Sequence, residues 1–71
     1  MSVPQPVPVP SKRWRVITAT ADTPYGSERA AYGAVNEMTD VGAKVTIRRW
    51  EHGVWVLWER VRITENGWEP T

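Results

Sequence analysis

The chain contains no cysteine, which excludes a disulfide framework and weakens the case for a structural metal. It has a single histidine, His52, and no phenylalanine. A metal centre needs several convergent ligands, and a general base needs a nucleophile or substrate proton within reach. One histidine in a turn supplies neither, so no catalysis, metal or cofactor is expected. No apolar run approaches the ~20 residues that span a bilayer, the longest being Val54 to Trp58. Nor does the N-terminal segment show an apolar h-region with a small-residue cleavage site, so the expected location is cytoplasmic, with no membrane partner. Phosphate-cradling glycine loops are absent too. Pro24-Tyr25-Gly26-Ser27 precedes a helix start but lacks the further glycines and the lysine of such a loop.

What is present is a chain of 71 residues with a net charge of +1, five tryptophans, and seven arginines against two lysines. At this length only about 60% of the unfolded surface is buried on folding, so one small domain is the limit and self-association is the remaining external support. Whole-molecule attraction to nucleic acid is not expected from so small a charge; any electrostatic argument must come from how the charges are distributed.

Val3 to Pro10 read V-P-Q-P-V-P-V-P. Alternate prolines fix φ and remove amide donors, giving an expected disordered, proline-rich arm over 1–11. Residues 12–65 are the expected folded domain and 66–71 a C-terminal tail that folds back or frays. Lys12 to Ala21 is β-branched and closed by Asp22-Thr23-Pro24, the pattern of a first strand. A helix follows, with Thr23 or Ser27 as N-cap. Ala31, Ala34, Val35, Met38 and Val41 form its apolar stripe, and Gly42 its stop. Two β-rich runs, Ala43 to Trp50 and Val54 to Thr64, then form a hairpin around Glu51-His52-Gly53. The expected fold class is α+β: a three-stranded antiparallel sheet with one helix packed on one face, in the order β-α-β-β.

Register decides which residues share a face. A strict two-residue turn mixes charged and apolar side chains on both sides, whereas a three-residue loop with Gly53 in a G1 bulge separates them. On that register Val45, Ile47, Trp55, Leu57, Val61 and Ile63 face the helix. The opposite face holds Lys44, Thr46, Arg48, Trp50, Val54, Val56, Trp58, Arg60 and Arg62. Eight of these, Lys44, Arg48, Trp50, Val54, Val56, Trp58, Arg60 and Arg62, are the expected partner-binding residues.

Tryptophan and arginine are enriched at protein interfaces, so the leading expectation is a small accessory or regulatory binding protein whose open face contacts a protein, above all another copy of itself. The alternative is nucleic acid, with bases stacked on tryptophan and arginines on phosphate. A third reading comes from resemblance. Strand-helix-strand-strand in about 70 residues, with Arg15-Val16-Ile17 and a Thr23-Pro24 turn, resembles the layout of the dodecins over Trp14 to Ile63. Those are small flavin-storing proteins that form hollow dodecamers, so the resemblance implies a ligand-binding oligomer. The family's flavin-stacking tryptophan falls at about Gly42-Ala43 in this sequence, so oligomerisation carries over more directly than flavin binding.

Overall fold

A computed structural model describes residues 8–71; most of the expected proline-rich arm, residues 1–7, lies outside the described residues. The elements are β1 (Trp14–Ile17), β2 (Asp22–Tyr25), α1 (Glu28–Asn36), β3 (Lys44–Glu51), β4 (Val54–Thr64) and β5 (Gly67–Pro70). They form one antiparallel sheet in the order β2-β1-β3-β4-β5, with the helix on one face. The three-stranded β-α-β-β expectation is therefore corrected to five strands in the order β-β-α-β-β-β. With it goes the strand-helix-strand-strand layout on which the resemblance to the dodecins rests.

Both additional strands come from segments with turn-like composition. Asp22-Thr23-Pro24-Tyr25 looks like a strand terminator because proline cannot donate to a ladder, but an edge strand has an outer side that needs no donor. The chain reverses over Thr18 to Ala21, where the Thr18 N–H donates to the Ala21 carbonyl at 2.8 Å and the Thr18 Oγ1 accepts from the Ala21 N–H at 3.1 Å. β2 then returns along β1, and the first strand is the shorter Trp14–Ile17 rather than Lys12 to Ala21. At the other edge the expected tail is β5, pairing Trp68 with Ile63. Trp68 reaches over to the helix, where its indole N–H donates to Asn36 Oδ1 at 2.7 Å and its ring lies 5.6 Å from that of Tyr32.

Ser27 is the N-cap, its hydroxyl accepting from the Ala30 N–H at 3.1 Å. The helix ends at Asn36, short of the stripe expected through Val41, which is 56% exposed. Ala31 and Val35 are buried against the sheet, where alanine lets the backbones approach closely. The core is Trp14, Val16, Ala31, Val35, Val45, Ile47, Val61 and Ile63, with Met38, Tyr25, Tyr32 and Trp68 at its border. Each fully buried aliphatic side chain contributes roughly 1.5–3 kcal/mol.

The β3–β4 hairpin corrects the expected register. Glu51 pairs directly with Val54, so the loop is the two residues His52 and Gly53, at φ 50° and 86°. Positive φ at both positions is what a type I′ turn requires, and that turn matches the twist of the flanking strands. The ladder continues to Arg48↔Leu57 and resumes at Ile47↔Glu59, leaving Trp58 as an inserted residue. The bulge thus lies in mid-strand and not in the turn. Beyond it Val61 and Ile63 face the helix as expected. Before it the parity is reversed: Val54 and Val56 lie on the helix side with Arg49 and Glu51, while Trp55 and Leu57, expected in the core, lie on the open face with Arg48 and Trp50. Leu57 is accordingly 48% exposed.

Gly53 tests the turn. A Cβ there meets nothing within 4 Å, so any penalty is conformational. Gly53→Val should lower unfolding free energy by about 1–2 kcal/mol in urea titrations, and Gly53→Asn, which tolerates positive φ, by clearly less.

Candidate functional site

Among the described residues, one face of the sheet carries no helix. Reading across the strands, pairing brings Pro24, Arg15, Arg48 and Leu57 into one row, and Asp22, Ile17, Thr46 and Arg60 into the next. Lys44, Arg62 and Glu69 make a third row, and Trp50 and Trp55 a fourth near the hairpin turn. Among the described residues the paired strand positions therefore place five cations on this face: Arg15, Lys44, Arg48, Arg60 and Arg62. Its two carboxylates sit on the edge strands, where Asp22 pairs with Arg15 and Glu69 with Arg62. Among the described residues Lys44, Arg48 and Arg60 make no ion pair.

The aromatic part of the face is a cross-strand pair. Trp50 and Trp55 meet edge to face with centroids 5.4 Å apart, and the Arg15 guanidinium lies 5.1 Å from the Trp55 centroid. A cation over an indole face at a partly exposed site contributes about 0.5–1 kcal/mol. Besides fixing Trp55, this contact holds Arg15 at the surface. Lys12, Arg15, Asp22, Pro24 and Trp55 line a shallow cleft of about 410 Å³.

The second exposed apolar area lies on the helix side of the hairpin end, beyond the helix. Trp58 packs edge-on against the buried Trp14 at 5.1 Å, and the Arg49 guanidinium sits 5.4 Å from both ring centroids. Arg49 is paired with Glu51 at 3.3 Å. Trp58 remains 42% exposed and Val54 56%. Together with Val56 they form an apolar patch beside the Arg49–Glu51 pair.

The eight residues expected to form one partner-binding site are thus divided between two surfaces. Lys44, Arg48, Trp50, Arg60 and Arg62 come together on the open face; Val54, Val56 and Trp58 do not join them and lie on the other side. Sequence reasoning missed Arg15, Trp55 and Leu57 on the open face. The signal for them was His52-Gly53, a dipeptide compatible with a two-residue turn, which combined with one inserted residue accounts for the apolar residues at both ends of β4.

One titratable group near these surfaces is perturbed. Burial, then the hydrogen bond and charge of Glu59, push the Tyr32 phenol well above its ordinary value of 10, the Trp58 indole acting weakly in the other direction. The phenol donates to Glu59 Oε1 at 2.5 Å, tying the helix to the strand next to the bulge.

Because the folded chain holds this proton more tightly than the unfolded chain, the contribution is fully present below about pH 10 and is lost as pH rises beyond it. Unfolding free energy should therefore fall above pH 10, with part of the tyrosinate absorbance appearing only as the protein unfolds. Tyr32→Phe should remove that component and cost about 1 kcal/mol at neutral pH by depriving Glu59 of its donor. An alkaline titration unchanged in the variant would contradict this assignment.

No family model matches the chain, and neither a curated protein nor a solved structure shows significant similarity to it.

Proposed function

We propose that the chain is a non-enzymatic binding protein whose open sheet face takes single-stranded nucleic acid. The observation that carries this reading is the uncovered row structure of the face: five cations, three of them without a carboxylate partner, beside the Trp50–Trp55 pair and Leu57. Arginine on phosphate and tryptophan under bases is the composition of a single-strand platform, where stacking contributes ~1–3 kcal/mol per base.

Two alternatives for this face are weaker on physical grounds. A second copy docked face to face would set the same cations against each other, because a two-fold interface opposes a surface with itself. A duplex groove is too narrow: five strands spaced about 4.8 Å apart make a platform about 19 Å wide, against a major groove of about 12 Å. Strand addition at the sheet edges is opposed by Pro24 and Pro70 in the two short edge strands.

Fluorescence anisotropy with labelled single-stranded oligonucleotides is the test. Binding at low salt should weaken linearly in log–log form with salt, by about 0.7 per phosphate neutralised. Arg48→Ala and Arg60→Ala should each flatten that slope. Trp50→Ala should weaken binding roughly 5- to 150-fold, the equivalent of one lost stacked base, and leave the slope in place. No anisotropy change at low salt, or equal binding by the wild type and an Arg48→Ala/Arg60→Ala double variant, would refute the proposal.

A further inference from the structure

We propose that the helix-side patch of Val54, Val56 and Trp58 is the contact between two copies of this chain. The patch exists because the helix is too short to cover it. Nine helical residues span about 14 Å, whereas the eleven residues of β4 run about 36 Å. The helix is tied to the sheet at Glu59 through Tyr32 and beside Ile63 through Asn36 and Trp68, so the hairpin end extends past it. The bulge then turns two valines and a tryptophan toward the side the helix leaves bare. Val54 at 56% and Trp58 at 42% exposure are two of the most exposed large apolar side chains in the described residues.

Charge selects the occupant. The patch is rimmed by Arg49 and Glu51, paired at 3.3 Å with side chains 41% and 37% exposed, while Glu59, the other carboxylate beside Trp58, is engaged by the Tyr32 phenol. A two-fold axis through the patch places Arg49 of each copy near Glu51 of the other, so internal pairs can be exchanged for reciprocal ones across the contact. A strongly charged partner has nothing here to recognise. Arg49 is also preset: stacked over Trp14 and Trp58, its guanidinium is already positioned at the rim. The Tyr32–Glu59 hydrogen bond holds the residue next to Trp58, and the indole packs on buried Trp14, so the surface loses little side-chain freedom on contact. The arrangement leaves the basic face of each copy free, and it stands whether or not that face binds nucleic acid.

The absence of cysteine makes a direct test available. In sedimentation without nucleic acid, the mass should rise with concentration from 8.1 kDa toward twice that value and persist at high salt. Val54→Glu should return the chain to monomer with an unchanged circular dichroism spectrum, while Arg60→Ala on the open face should leave the dimer intact. Val54→Cys should cross-link to a dimer under mild oxidation, and Leu57→Cys, on the opposite face, should not. A wild-type chain that stays at 8.1 kDa at every concentration would overturn the proposal. So would equal cross-linking at positions 54 and 57, or a dimer lost in Arg60→Ala and kept in Val54→Glu.

Discussion

The rest of the structure depends on one inserted residue, Trp58. Side chains alternate strictly along a strand, so a regular β4 would carry Trp55, Leu57, Val61 and Ile63 on one side along its whole length, with Glu59 among them. By adding a residue between Arg48↔Leu57 and Ile47↔Glu59, the bulge reverses that alternation in mid-strand. Val61 and Ile63 can then enter the core while Trp55 and Leu57 leave it. A bulge interrupts the ladder locally, and here the inserted side chain supplies the compensation. Trp58 packs on Trp14, Arg49 bridges both rings, and Glu59 behind it is held by Tyr32. The contacts that stabilise the bulge are therefore the ones that build the hairpin's exposed apolar surface.

Widening the sheet from three strands to five changes what the sheet can do. A three-stranded sheet leaves the long β4 as an edge, with a row of free amides and carbonyls open to strand addition. Here β5 pairs with β4 and β2 pairs with β1, so both outer positions fall to four-residue strands that each contain a proline. Strand addition is thereby disfavoured at both edges. The same edge strands carry Asp22 and Glu69, which neutralise Arg15 and Arg62 at the margins and leave the centre of the basic face unpaired.

How much of this was legible in the sequence follows from what each signal measures. Ser27 as one of two candidate N-caps, Ala31 and Val35 facing inward, and Val45, Ile47, Val61 and Ile63 in the core could be read from local pattern, because those residues lie where that pattern and tertiary contact agree. β2 and β5 could not, because Asp-Thr-Pro-Tyr and Gly-Trp-Glu-Pro have turn composition and become strands only through a neighbouring strand that is distant in pattern terms. The bulge was hidden for a different reason. Moving the extra residue from the turn to position 58 preserves the faces at the far end of β4 and exchanges them at the near end. Both placements account for Val61 and Ile63, and only the packing of Trp58 on Trp14 distinguishes them.

A chain with a net charge of only +1 carries a strongly basic face because its charges are segregated by side. Had Trp55 and Leu57 been inward and Val54, Val56 and Trp58 outward, arginines and the whole apolar surface would have shared one side. A single partner would then have needed to satisfy both. In either parity Lys44, Arg48, Arg60 and Arg62 share the open face, but with the parity reversed Val54, Val56 and Trp58 leave it, while the helix side keeps Glu28, Glu37, Glu51 and Glu59. Because the two sets nearly cancel, the field at long range is small, and attraction is confined to about a Debye length from the basic rows. On the proposed reading such a face would select an anion by contact and little by steering at a distance. A dense, flexible polyanion suits it better than a partner bearing a few scattered acidic side chains, since the polymer can bring a charge to each unpaired arginine in turn.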